Sequence, residues 1–191
     1  LEALREAWRQ TMLAWATANQ IGSERSAPIR TQINKPPVNA EFIEDFIAEN
    51  DTIDVDFIAS IGSTAKGLSA IEYLIFDPEK DDQAILSTFV DAPRAVQRMQ
   101  YLVAAVEHLQ VIGSQYILEW ETQKQRYADT NTLPDPAQVA NDAMIEMGVL
   151  TNKLITTLEN VQVMNFSDPL GLTSGGDIRV DLVEASRSHF S

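Results

Sequence analysis

Gly67-Leu-Ser-Ala-Ile-Glu-Tyr-Leu-Ile-Phe76 is the stretch of this sequence that differs most from ordinary helical-bundle material. A small polar run between Gly62 and Gly67 leads into an apolar cluster with one carboxylate, Glu72, at its centre. An acid inside an apolar run either faces solvent from a helix or is buried with a partner, because an unpaired buried carboxylate costs on the order of several kcal/mol. Glu72 is therefore a candidate functional residue, and a structural acid is the alternative.

The overall composition narrows the classes of protein that this chain can belong to. Its 191 residues suit one domain or slightly more, and a hydrophobic content of 45% is enough to build a core. A net charge of −14 argues against nucleic acid and anionic membrane surfaces as partners, and suits binding of cations or basic groups. Cysteine is absent, so disulfides and thiolate metal sites are excluded while the compartment stays open.

No apolar run reaches the length of about 18 residues that a membrane-spanning helix requires, so we expect no transmembrane segment. The chain begins at Leu1 rather than at methionine and shows no signal peptide. We therefore expect a processed or trimmed chain.

Hydrophobic periodicity predicts an all-α helical bundle, since no alternating strand pattern persists beyond four or five positions. The first helix carries an apolar stripe that includes Trp8, Met12 and Trp15. The predicted main helices span residues 1–20, 64–76, 91–129 and 136–162. Short helices are expected within 41–59, a loop at 21–40, a solvated acidic loop at 77–82 and a further helix at 181–191.

The longest predicted helix, 91–129, has apolar residues at steps of four and three, which is typical of left-handed bundle packing. Gly113 falls on this seam and predicts the close approach of a neighbouring helix, as does Gly148 on the next helix. His108 lies just off the seam and is interpreted as a rim residue. The seam consists of Ala95, Met99, Leu102, Val106, Leu109, Gly113, Tyr116 and Trp120.

The sequence lacks the characteristic motifs of several enzyme classes. There is no His-Glu-x-x-His helix, no Gly-x-Ser-x-Gly elbow, no phosphate loop and no dinucleotide fingerprint. His108 and His189 are the only histidines, so a three-histidine metal site cannot form within the chain. We predict no catalytic residue.

Oxygen ligands remain as the candidate chemistry. Ser63 and Thr64 can cap a helix on which Ser69 and Glu72 are three residues apart and share a face. Hard cations such as ferric iron accept oxygen ligands. The predicted ligand-binding residues are Gly67, Ser69, Glu72, Glu184 and Ser186, with Glu72 as the metal ligand.

Each candidate also has a structural interpretation. Ser69 is either a ligand or a small residue at a helix crossing, whose hydroxyl could bond to its own helix backbone. Glu72 is either functional or a buried acid bonded to backbone amides or to an arginine such as Arg94 or Arg179.

The stretch Gly67–Phe76 resembles the signature of the imelysin-like family, Gly-x-His-x-x-Glu followed by Tyr-Leu and two apolar residues. Gly67 and Glu72 match the family's glycine and glutamate, whereas Ser69 occupies the histidine position. The tryptophan-rich first helix and a Pro-Leu-Gly…Glu-x-Ser-x-Ser passage from Pro169 to Ser188 agree with the family as well. The resemblance thus touches most of the chain.

This resemblance implies a fold of two helical bundles related by a pseudo-twofold axis. Residues 1–165 would be the first four-helix bundle, and residues 166–191 a linker and the first helix of a second bundle that is largely absent. It also implies a bacterial protein of the periplasm or cell surface, with an export signal removed upstream and a lipid anchor as one form of attachment.

Three functions follow as hypotheses. The first is an exported protein of iron or metal uptake, which binds a metal ion or metal complex near the Gly-x-Ser-x-x-Glu helix and works with a protein partner. The resemblance implies iron, or another divalent or trivalent metal, as the cofactor. A ligand-free helical interaction module ranks second. A metal-dependent peptidase of the imelysin type ranks third, because Ser69 replaces the motif histidine.

Overall fold

A computed structural model describes residues 1–21, 26–128 and 136–160. These residues form α-helices and one short 3₁₀ helix, with no β-strand among them, so the predicted all-α class is confirmed. The helices are α1 (Glu2–Ile21), α2 (Ala27–Ile33), α3 (Ala40–Glu49), α4 (Val55–Ser60), α5 (Gly67–Ile75), α6 (Asp82–Val90), α7 (Ala95–Ala128) and α8 (Pro136–Asn160), and the 3₁₀ turn is Ser63–Ala65.

The first helices follow the predicted pattern closely. Trp8 and Trp15 of α1 are buried, as the apolar stripe predicts. Ile43 and Ile47 bury one face of α3. The α3 helix begins where the side chain of Asn39 accepts a hydrogen bond from the backbone N–H of Phe42, which satisfies one of the free amides of its first turn.

The prediction of a continuous loop over residues 21–40 is wrong, because α2 occupies Ala27–Ile33. Pro28 is one of the residues that interrupt the helical periodicity and so favour a loop in the sequence. It lies instead in the first turn of α2, where the missing proline N–H has no helical partner to lose. Ile33 at the end of this helix is buried and brings α2 against the core.

A second helix was missed between the acidic segment and the long helix. Asp81, interpreted as part of a solvated loop, accepts a hydrogen bond of 2.7 Å from the backbone N–H of Ala84 and caps α6. Ile85 and Phe89 bury one face of α6. As a result, α7 begins at Ala95, after Arg94 with its positive φ of 65°, rather than at residue 91.

The buried face of α7 differs from the predicted seam by roughly a quarter turn. Met99 and Val106 of that seam are exposed, although Leu102 and Tyr116 are buried. His108, interpreted as a rim residue, lies inside the buried face. The face consists of Ala95, Tyr101, Leu102, Ala104, Ala105, His108, Ile112 and Tyr116.

The two glycines predicted to allow close helix contacts do not make them with described residues. A Cβ atom built on Gly113 or Gly148 would meet nothing within 4 Å. The apolar residues Met147 and Leu154 of α8 are exposed as well. In α7, the periodic seam is therefore present but does not coincide with the buried face.

The described residues divide into two compact units, of which the first comprises Leu1–Ile117 and the second begins at Leu118. The first unit contains α1 to α6. The predicted helix at 181–191 lies outside the described residues, and the proposed division at residue 165 stays a prediction. Among the described helices, none has the length and apolar content needed to span a membrane.

Candidate functional site

Gly67 sets the position of α5, the helix that carries the signature stretch. Its φ is +73°, in the left-handed region that residues with a Cβ rarely adopt. A Cβ atom at this position would lie 2.3 Å from the carbonyl oxygen of Ile33 and 2.5 Å from that of Gln32. The glycine therefore allows the start of α5 to touch the backbone at the end of α2.

Ser69 ties α5 to the residue that follows α2. It is buried, and its hydroxyl donates a hydrogen bond of 2.5 Å to Oδ1 of Asn34. This contact corrects the interpretation that the hydroxyl bonds to its own helix backbone. The side chain in the family's histidine position thus links two helices, and its only hydroxyl proton is already used.

Glu72 is 8% exposed on a helix whose other residues are mostly buried. Glu72 takes part in a further interaction within the chain, so it is not without a partner. Arg94, considered above as its partner, bonds instead to the carbonyl oxygens of Ile47 and Asn50 and to the carboxylate of Asp51. Of the two alternatives that the sequence leaves open for this acid, the structure shows the buried one. The pairing with Arg94 is wrong, and Arg179 lies outside the described residues.

Both ends of α5 are held by α1. The indole Nε1 of Trp8 donates a hydrogen bond of 2.9 Å to the carbonyl oxygen of Leu68, and Nε of Arg5 donates one of 2.9 Å to that of Ile75. The rings of Trp8 and Phe76 meet edge to face at 5.2 Å. These contacts fix α5 along its whole length, which keeps Glu72 in a defined position.

Tyr73, the residue after Glu72, belongs to a polar network. The hydroxyl of Tyr73 donates a hydrogen bond of 2.7 Å to Oε1 of Glu44, whose other oxygen pairs with Arg98. These residues line a small cavity of about 70 Å³ together with Lys80 and others. Ligand pockets are typically on the order of 300–1,000 Å³, so this cavity is too small for a metal chelate.

Two basic residues near the start of α5 and on α7, Lys66 and His108, are buried. Lys66, 4% exposed, precedes α5 and donates hydrogen bonds of 3.3 and 2.8 Å to the carbonyl oxygens of Ile58 and Ala59. His108 of α7 is 3% exposed, and its Nδ1 is buried with no hydrogen-bond partner. Burial lowers the pKa of the His108 imidazole, and the nearby charge of Lys66 lowers that pKa further.

Little in the sequence indicates that Lys66 and His108 are buried. A lysine directly before the glycine of the signature reads as a surface residue, because lysine is almost never fully buried without a partner. The only available signal was the absence of any other charge between Gly62 and Glu72. Burial also lowers the pKa of the Lys66 ammonium.

The described residues do not contain three histidine, cysteine, aspartate or glutamate side chains grouped to hold a metal ion. The structure places Gly67, Ser69 and Glu72 together on α5. Glu184 and Ser186, the other predicted ligand-binding residues, lie outside the described residues. Whether the five act together is still a prediction, as is the assignment of Glu72 as a metal ligand.

These observations define an all-α protein built around a buried, glycine-started helix with one enclosed carboxylate. The family model described as Imelysin matches residues 1–191, the whole chain. The protein therefore belongs to the imelysin family, as its signature stretch predicts. No curated protein and no solved structure matches it.

Proposed function

We propose that this protein serves bacterial iron or metal uptake by binding a metal complex at the α5 helix, with Glu72 as an oxygen ligand. The observation that carries the proposal is the enclosed carboxylate of Glu72 on a helix anchored at both ends, in a chain of the imelysin family. A rigid, partly dehydrated carboxylate is a suitable ligand for a hard cation.

A metal complex fits the described residues better than a bare ion. Ferric and divalent ions need several ligands, and the described residues offer no group of three acidic or imidazole side chains for them. A complex such as ferric citrate brings most of its own ligands, so one protein carboxylate can complete the coordination. Ser69 then orients the helix through Asn34 rather than binding the metal itself.

The family membership also supports a place outside the cytoplasm, in the periplasm or on the cell surface, where an uptake protein meets its metal complex. In this proposal a protein partner in the same uptake system receives the metal. The net charge of −14 favours the approach of cationic species, so ferrous ion is tested beside the anionic ferric citrate.

Isothermal titration of ferric citrate, ferrous ion and zinc into the protein tests the proposal. We expect micromolar or tighter binding of the iron complex, at least about tenfold weaker in Glu72→Gln, a change that keeps the shape of the side chain. Glu49→Gln is the matched control, since Glu49 is an exposed acid on α3. Absence of heat in the unmodified protein would overturn the proposal.

A helical interaction module is the second candidate, and one observation favours it. The side of α7 away from its buried face carries exposed apolar residues, among them Val96, Val103 and Ile117. Complementation of an iron-dependent growth defect separates the two. Loss of growth support with Val103→Glu but not with Glu72→Gln would favour the interaction module, and the reverse would favour metal-complex binding.

A further inference from the structure

Three phenylalanine rings form a continuous patch across α3 and α4. Phe42 and Phe46 are four residues apart on α3 and are therefore neighbours on the helix surface. Their ring centroids lie 6.2 Å apart, and the ring of Phe46 meets that of Phe57 of α4 edge to face at 5.4 Å. Phe42, Phe46 and Phe57 thus make up one aromatic patch.

The aromatic patch is open at Phe42. This residue is 51% exposed, and it is the only phenylalanine, tyrosine or tryptophan with more than half of its surface exposed among the side chains that the structure describes. Ile43 and Ile47 already bury the inner side of α3. Because exposed apolar patches mark interaction sites and aromatic side chains are enriched at the centres of interfaces, the aromatic patch indicates a docking surface.

An acidic row lies beside the aromatic patch on α3. Glu41, Asp45 and Glu49 follow one another at steps of four residues, and the first two come directly before Phe42 and Phe46. All three acids are exposed, and none of the ion pairs among the described residues includes them. Like charges four residues apart on a helix repel each other, so a positive charge from outside would relieve this repulsion.

The charge of this region decides which partner fits. Residues 36–65 contain seven acids and no lysine or arginine. A second copy of the chain, with its net charge of −14, would be repelled, as would nucleic acid or an anionic membrane. Residues 161–191 carry four acids and two arginines, so they do not supply the complementary charge either. A positively charged segment of another protein is the partner that complements both the acids and the rings.

We propose that the aromatic patch and the acidic row form a docking surface for a basic segment of another protein. An apolar side chain of the partner covers Phe42, and lysine or arginine side chains pair with Glu41 and Asp45. An arginine can also stack on an exposed ring. This proposal does not rest on metal binding, because it uses neither Glu72 nor any other residue of α5.

A labelled peptide of about 14 lysine and leucine residues, patterned as four turns of amphipathic helix, is the probe for this surface. Fluorescence anisotropy at low salt should give a Kd on the order of 10 µM. Phe42→Ala and the double variant Glu41→Gln/Asp45→Asn should each weaken binding at least about fivefold. Thermal unfolding of each variant verifies that it is folded.

Two matched controls separate this surface from general charge and apolar effects. Leu13→Ala removes a side chain of α1 that is 50% exposed, and Glu79→Gln/Glu107→Gln removes two exposed acids elsewhere. Each control should change the Kd less than about twofold, because distant exposed charges are screened by salt. Equal weakening by the control acid pair, an unchanged Kd in Phe42→Ala, or no binding to the unmodified protein would overturn the proposal.

Photo-crosslinking from position 42, in cells that produce the protein, identifies the natural occupant. We expect Phe42→benzoylphenylalanine to crosslink to a lysine- or arginine-rich segment of another protein, and the crosslink to be lost when Glu41→Gln/Asp45→Asn is added. Crosslinks to a second copy of this chain or to an uncharged or acidic segment would overturn the proposal. So would a pattern no different from that of Leu13→benzoylphenylalanine.

Discussion

A Cβ atom built on Gly67 would lie 2.3 Å from the carbonyl oxygen of Ile33, so the first residue of α5 and the last residue of α2 are in backbone contact. The atom that would be hit belongs to the main chain and cannot rotate away. The position of α5, and with it that of Glu72, therefore depends on the absence of one side chain.

Gly67→Ala is expected to destabilise the protein strongly. The left-handed φ of +73° costs about 1–2 kcal/mol for a residue with a Cβ, and the clash with α2 adds about 1–3 kcal/mol of strain. Urea unfolding monitored by circular dichroism measures the loss. The control is Gly113→Ala, in a helix interior with nothing within 4 Å, which should stabilise by about 0.5–1 kcal/mol. Equal effects at the two positions would contradict the account.

Ser69→Ala should remove the link between α5 and the end of α2. The lost hydrogen bond to Asn34 is worth about 0.5–1.5 kcal/mol net. A double-mutant cycle with Asn34→Ala measures the coupling between the two side chains by chemical unfolding. Additive losses, with no coupling energy, would show that the contact contributes nothing to stability.

Ser69→His, which restores the family's histidine, should destabilise the protein rather than improve it. Ser69 is buried against Asn34, and an imidazole there must displace packed neighbours at a cost of about 1–3 kcal/mol. Thermal unfolding of the variant measures this cost. An unchanged or raised midpoint would show that the site has room for the histidine.

Tyr101→Phe should destabilise the junction between α7 and the start of the signature stretch. Tyr101 is fully buried, and burial raises the pKa of its phenol, which therefore stays a neutral donor. Removing the hydroxyl leaves the carbonyl oxygen of Ala65 without this partner, at a cost of about 1–3 kcal/mol. Chemical unfolding of the variant and of the unmodified protein measures the difference in their free energies of unfolding. A difference below about 0.5 kcal/mol would contradict the prediction.

His108 should make the protein less stable as the pH falls. Its pKa is lowered in the folded state, so the unfolded chain binds the proton more readily below about pH 6.5. The free energy of unfolding should therefore decrease between about pH 7.5 and pH 5.5, with a slope of at most about 1.4 kcal/mol per pH unit from this group.

His108→Gln is the variant that isolates this contribution. The difference between its stability and that of the unmodified protein should narrow as the pH falls through the same window. A difference that stays constant over the window would show that His108 does not change its protonation on unfolding.

The sequence predicted the all-α class and the core tryptophans of α1, because both depend on local periodicity, whereas it left the burial of Glu72 open. It could not predict that Gly67 touches α2, since the same prolines and serines at 26–37 are compatible with a loop. Pro28 shows the difficulty, because a proline breaks a helix interior but suits a first turn.

The burial of His108 was missed for a different reason. The α7 helix carries apolar residues on two faces, and a regular step of four and three marks one of them. The buried face is the other, centred near Tyr101 and His108. Only tertiary contacts, such as the hydrogen bond from Tyr101 to Ala65, decide between two faces of similar hydrophobicity.

The central claim is that Glu72 binds the metal of a metal complex at α5. Iron-edge anomalous scattering from crystals soaked in ferric citrate tests it most directly. The account predicts a peak within coordination distance of the Glu72 carboxylate, lost in Glu72→Gln and retained in Glu49→Gln. An iron peak elsewhere that survives Glu72→Gln would contradict the claim, as would the absence of any peak from crystals of the unmodified protein.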